Sequence, residues 1–448
     1  MNPIRPLTVL LLVAPFISVA PVVAPRTAVG DEIATINGRT MGTTYTVKIH
    51  DPPTNLDDIR IAVDDELREV NDQMSTYLQT SEITRFNDSE STDWFDVSTE
   101  FAAVVDAAKR IAAASGGALD VTVGPAIDAW DFGAGEASAS AVPDASELEA
   151  LRQYVGDDKL SVRPDPPAIR KSHPRLRIDL SAIAKGHGVD RVVGRLEELG
   201  CEDVFVEIGG EVRVAGDKDG VRWKVGIEQP DAGRGKLLAA HSLGYSESDV
   251  AMATSGDYRN YREIDGVRYS HTLDPTTLSP IRHQLAAVTV IAGDCMTADG
   301  WATAFNVAGP ERGLELARRH GIEALLITRG DDGFRREATG SLIALVSEPQ
   351  ADDPSVGRDP PGSAATPLAP MFLATLAVVL VVIAGMAIGV MFGRKSLAGS
   401  CGGVASLEND DGTISCSLCN NPSDGCKDLR EKLRRDEAER RRGMMSGS

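Results

Sequence analysis

The chain has 448 residues, 46 Lys and Arg against 66 Asp and Glu, a formal net charge of −20 and 42% hydrophobic residues. It is longer than one typical domain and has ample chain for a packed core. The acidic balance argues against nucleic acid as a partner of the main body.

Residues 1–30 read as a targeting segment. Arg5 supplies the positive start, residues 7–20 are almost wholly apolar, and Ala28-Val29-Gly30 offers a small-residue cleavage site. An uncleaved anchor fits the same residues, because residues 7–24 are nearly long enough to span a bilayer. On either reading the domain that follows is exported. Residues 31–349 form the globular body, with strands expected at 43–49, 204–208, 212–215, 223–227, 250–254, 285–292 and 324–328. Helical periodicity marks residues 56–74, 101–114, 302–307 and 313–320, and residues 118–125 read as an extended, turn-punctuated piece. Residues 133–144 are small and acidic, as in a surface loop. Strands and helices interleave without strict βαβ alternation, so the expected class is α+β or mixed α/β, a mixed sheet with helices and not a doubly wound one.

The stretch RIDLSAIAKGHGVD, residues 177–190, organises this body. Residues 177–180 alternate polar and apolar as a half-buried strand does, Ser181 reads as a helix N-cap, and an apolar helical pattern runs on to Gly200. Asp179 then ends a strand and Lys185 lies in the first turns of a helix. Helix-start N–H groups attract phosphate, and Gly186 and Gly188 allow close approach to the backbone. An ordinary strand–helix corner would show the same pattern.

Residues 350–369 are a linker rich in Pro, Gly, Ser and Asp. Residues 371–392 carry no charge and are long enough to cross a bilayer, which sets an expected transmembrane helix at 370–393. Arg394-Lys395 behind it puts the tail, residues 394–448, in the cytoplasm. Cys201 and Cys295 stand alone in the body, whereas Cys401, Cys416, Cys419 and Cys426 crowd this tail. Four thiols on the reducing side of a membrane suit iron, an iron–sulfur centre or zinc; the opposite topology would make them disulfides.

Eight stretches, in order, resemble the ApbE family of FAD:protein FMN transferases. They are MGTTYTVK from Met41, MSTYLQTSEITRFN from Met74, GGALDVTVGP from Gly116, DLSAIAKGHGVDRV from Asp179, VEIGGEVR from Val206, TSGDYRNY from Thr254, HTLDPTT from His271 and TADGWATA from Thr297. They depart from the family pattern at Leu119, often Phe; at His187, often Tyr; and at Gly300-Trp301, more usually Ala-Leu. The resemblance implies an enzyme that cleaves the pyrophosphate of FAD with Mg²⁺ and passes FMN to a Thr or Ser hydroxyl of a target flavoprotein. It implies flavin contacts from Met41, Tyr77, Ala118, Leu119, Asp120, Asp179, Lys185, His271 and Thr272. Lys185 suits a phosphate, Tyr77 a ring system, and His271 the role of base. Asp299 and Thr303, four apart on one expected helix face, offer oxygens to one Mg²⁺; the resemblance adds the carbonyls of Ala182 and Ala302. Taken without the family, an Asp and a Thr four apart read as a solvated pair, and His271 as a structural histidine. A periplasmic FAD pyrophosphatase and a flavin carrier without catalysis are the alternative activities.

The C-terminal part, one apolar span followed by CGG, CxxC and a further Cys, resembles NqrM, a maturation factor that supplies iron to the sodium-translocating NADH:quinone reductase. That reductase carries FMN on threonine phosphoester links, which makes it the expected partner. The expected location is the bacterial inner membrane, with the catalytic domain periplasmic.

Overall fold

A computed structural model describes residues 33–133, 142–231, 236–244, 251–257, 261–264, 266–331 and 333–347. The targeting segment 1–30, the linker 350–369, the expected transmembrane helix 370–393 and the tail with Cys401, Cys416, Cys419 and Cys426 lie outside the described residues. Among the described residues, no helix is long and apolar enough to cross a membrane.

The helices are α1 (Leu56–Met74), α2 (Glu82–Asp88), α3 (Thr99–Ser115), α4 (Gly124–Ala129), α5 (Ala145–Leu151), α6 (Ala184–Glu198), α7 (Cys295–Ala308), α8 (Pro310–His320) and α9 (Ala344–Ser347). They surround an eight-stranded sheet with the spatial order Ile33–Thr40, Thr43–His50, Val204–Ile208, Glu211–Ala215, Ala251–Gly256, Leu285–Ala292, Glu323–Gly330 and Gly333–Ala338. Every pairing in it is antiparallel. The α+β class is therefore as expected, and the expected mixed sheet is corrected to an antiparallel one. Neighbouring strands are joined either by tight hairpins or by long excursions that return in the opposite direction.

Period-two burial explains why the sheet sits in the centre. Leu285, Val288 and Val290 pack on the side of α3, α7 and α8, whereas Ala287 and Ile291 of the same strand pack on the other side. Both faces are covered, so this strand reads as a near-continuous apolar run. The second face is closed by the hairpin of Trp223–Glu228 and Leu237–Leu243, through Trp223, Val225, Ile227 and Leu243. A third cluster joins α1 and α6 to the first strands, with Ile59, Val63, Val189 and Val193 against Val47, Ile49 and Val206.

Helix limits follow their caps. Asn55 accepts the N–H of Asp57 at the start of α1, Ser98 that of Phe101 at α3, and Asp294 that of Thr297 at α7. Two expectations fail locally. Residues 121–123 form a 3₁₀ turn leading into α4, not an extended piece. Asp120 causes this by accepting the N–H of Thr122 at 2.8 Å and the hydroxyl at 2.7 Å, which starts a turn. Residues 177–180 pair with no strand, and Ser181 does not cap α6; the N-cap position belongs to Ile183 and has no side-chain bond. The alternation there comes from packing, because the Asn87 amide takes the place of a strand partner. It accepts the N–H of Ile178 at 2.8 Å and donates to its carbonyl at 2.9 Å.

Candidate active site

The site is assembled where α6 meets α7. A Cβ on Gly186 would stand 2.3 Å from the carbonyl oxygen of Cys295, so only glycine permits this approach. The two helices then exchange acids. Asp190 of α6 accepts the N–H groups of Cys295 and Met296 at 2.9 and 2.8 Å, and Asp299 of α7 accepts the N–H of Gly186 at 3.0 Å. Each carboxylate thus satisfies amides at the other helix's start, where the macrodipole favours negative charge.

Lys185 stands over this junction. Its Nζ is 3.5 Å from Oδ1 of Asp299 and 3.5 Å from Oε1 of Glu211. Asp299 and Glu211 are 1% and 3% exposed, so both acids are paired by one ammonium in a low-dielectric interior. Burial raises both carboxyls above the usual range, against the pull of Lys185; the two acids outweigh burial for Lys185 and hold its ammonium above its ordinary value. Glu211 is placed by the turn Gly209-Gly210, with φ of 65° and 113°, between two adjacent strands.

A cleft of about 740 Å³ opens above this cluster. Its walls include Ala118, Leu119, Asp120, Asp179, Ala182 and Lys185, with His271, Thr272 and Thr303 from later in the chain. Lys48, Phe205, Lys224 and Glu228 line it as well. Burial raises the Asp120 carboxyl despite its two bonds to Thr122. Asp179 accepts the N–H of Ser181 at 2.8 Å and donates its own to Val121 at 2.8 Å, which ties the two cleft-lining segments together. Thr303 Oγ1 lies 3.0 Å from Ser255 Oγ. His271 is an exposed residue of the rim.

Four of the expected residues are not on the cleft wall. Asp299 is one of them, buried with its oxygens on the Gly186 amide and the Lys185 ammonium. Tyr77 is 71% exposed and does not line it. Met41, at a positive φ of 47°, lies with its methyl over Gly188 and packs with two of the apolar clusters. Ala302 is wholly buried within α7. Two residues escaped the sequence reading: Glu211, which completes the buried cluster, and Ser255, which holds the Thr303 hydroxyl. The available signal for Glu211 was an acid directly after Gly-Gly within an apolar strand pattern.

The oxygen donors of Asp299, Thr303 and Ala182 suit a hard divalent cation such as Mg²⁺, and the buried acids around Lys185 favour positive charge. An open cleft with polar groups converging on a paired ammonium is a candidate active site with a place for an anionic group. Comparison with known proteins makes this specific. The ApbE family profile matches residues 41–326, and the profile described as (Na+)-NQR maturation NqrM matches residues 390–439. FAD:protein FMN transferase of Vibrio cholerae is 45% identical over 316 residues, covering 70% of this chain and 92% of the relative. The Escherichia coli K12 protein of the same name is 33% identical over 322 residues, covering 71% and 90%. The solved structure of the flavin transferase ApbE from Vibrio cholerae superposes with a TM-score of 0.64 at 44% identity, over 70% of this chain and 99% of that one. The ApbE protein of Thermotoga maritima gives 0.63 at 28% identity, over 71% and 100%. The chain belongs to the ApbE family and is a transferase, with an NqrM module after the catalytic domain.

Proposed function

We propose that this protein is an FAD:protein FMN transferase that binds FAD in the cleft and attaches FMN to a Thr or Ser hydroxyl of an acceptor flavoprotein. The observation that carries the reading is the Lys185–Asp299–Glu211 cluster on the cleft floor, in a chain of this family. The hydroxyl oxygen bonds to the FMN phosphorus, the bond from that phosphorus to the bridging oxygen breaks, and AMP leaves. His271 on the rim takes the hydroxyl proton. Lys185 holds phosphate charge, and Asp120 and Asp179 accept hydrogen bonds from sugar or base groups of FAD. Asp299, Thr303 and the Ala182 carbonyl would hold Mg²⁺, which when bound neutralises phosphate charge.

The NqrM module supports a sodium-translocating NADH:quinone reductase as the client, its flavin attached by one end of this chain and its iron site served by the other. The proposed location is the bacterial inner membrane, with residues 31–349 in the periplasm, the helix 370–393 spanning, and the four tail cysteines in the cytoplasm as ligands for iron. Incubation with FAD, Mg²⁺ and a threonine-bearing acceptor domain tests the reading. A fluorescent acceptor band is expected. Release of FMN and AMP alone would make the protein a pyrophosphatase, and FAD left intact would make it a carrier.

A further inference from the structure

Resting on the cation reading above, we infer that Glu211 is a positioning residue: it supplies the charge that lets Lys185 and a divalent cation share one site. Three observations carry this. The Lys185 ammonium is equidistant, at 3.5 Å, from Glu211 and Asp299. Glu211 is 3% exposed and lines the cleft, yet its Oε2 accepts no hydrogen bond among the described residues. Its position is fixed by the backbone: Gly210 donates to Glu207 Oε1 at 2.8 Å and Gly209 to the Thr44 carbonyl at 3.1 Å, which ties the turn to the neighbouring strands.

In this buried place the charges add with little screening. Asp299 and Lys185 alone cancel, so a divalent cation approaching Asp299 would meet a neutral site with an ammonium already on the carboxylate. With Glu211 and Asp299 both ionised, the three groups sum to one negative charge. When Asp299 turns to the cation, Lys185 keeps a carboxylate beside it and remains held at the cleft floor for a substrate phosphate. Glu211 touches neither cation nor substrate in this arrangement; it acts through Lys185.

The test is Mn²⁺ binding to the purified full-length protein, read from the loss of the free-ion electron paramagnetic resonance signal, with thermal melting to check each variant. The variant Asp299→Asn defines background binding. Glu211→Gln is expected to weaken Mn²⁺ binding by about tenfold or more, because the site becomes neutral. Lys185→Met, which leaves Glu211 in place, should tighten it. The double variant Lys185→Met/Glu211→Gln, whose sum is again one negative charge, should return to within about threefold of the unmodified protein, a rescue that lost packing could not produce. Unchanged binding in Glu211→Gln, no tightening in Lys185→Met or no recovery in the double variant would each overturn the inference. If Asp299→Asn binds as well as the unmodified protein, the cation reading itself fails and takes this inference with it. If only Glu211→Gln is indifferent, the inference fails and the reading stands.

Discussion

Asp299 bonds with one oxygen to the Gly186 amide and pairs with the other to Lys185, so it serves both packing and charge. Asp299→Asn retains an acceptor for Gly186 and removes the charge. It should cut FMN transfer by about 10²–10³-fold, with FAD affinity falling less than turnover; acceptor fluorescence and equilibrium dialysis measure the two. His271→Ala should leave FAD binding intact and slow transfer by about 10²–10⁴-fold, the usual worth of a general base. A rate unchanged from the parent between pH 6 and 9 would reduce His271 to a rim residue. His187 offers a different prediction. It is 9% exposed, its Nε2 has no partner among the described residues, and burial, aided by Arg191, holds its imidazole down at about 4. The unfolded chain binds that proton from about pH 6.5 downward, while the folded protein does not. Stability is therefore complete above that pH and declines as pH falls toward 4, by about 2–3 kcal/mol from this residue. Urea midpoints measured from pH 7 to pH 4 should fall less steeply in His187→Phe than in the parent.

At the scale of elements, the site depends on how closely α6 approaches α7. Gly186→Ala would drive a methyl into the carbonyl of Cys295, 2.3 Å away, and into the Cys295 carbonyl carbon and Met296 backbone beside it. Helix propensity favours alanine there, but the backbone atoms cannot yield as a flexible side chain would. The expected outcome is a loss of about 1–3 kcal/mol in urea unfolding, with a larger proportional loss of transfer because Lys185 and Asp299 move apart. A stability gain would mean that the helices separate freely. The segment 177–180 is held by a second device. Lys171 is buried and donates to the carbonyls of Phe86, Asn87 and Leu176 at 3.0, 3.3 and 3.2 Å, fixing the Asn87 amide that grips Ile178. Burial lowers this ammonium to about 8. The alternating pattern of residues 177–180 was legible; the partner supplying its hydrogen bonds was a side chain, which no periodicity reveals.

At the scale of the whole molecule, two family profiles occupy separate stretches, residues 41–326 and 390–439. If the catalytic body and the cysteine tail work on opposite sides of a membrane, their chemistry should separate cleanly. Cys416→Ser in the full-length protein should lower the iron content of the purified reductase and leave FMN transfer at the parent rate. Elemental analysis of the reductase and in-gel flavin fluorescence measure the two. Thiol labelling of sealed vesicles from the periplasmic side would contradict the proposed topology.

The sequence by itself determined the elements and the chemistry available to them. Periods of 2 and 3.6 marked α1 over its full length and the strands Val204–Ile208 and Leu285–Ala292 to the residue, because burial of one face is written locally. Ordered motifs carried the family, and with it Asp299, Thr303 and Lys185. Only the tertiary structure decided which of these groups meet. Gly186 and Asp299 are 113 positions apart, and Asn87 and Ile178 are 91 apart. Glu211 enters the cluster from a third segment. Tyr77 and Met41 stay off the cleft wall, and the turn at residues 121–123 follows from the local bonds of Asp120 to Thr122. Local pattern records whether a residue is buried; which charge lies beside it is set by the packing of distant segments, and the electrostatics of the site follow from that packing.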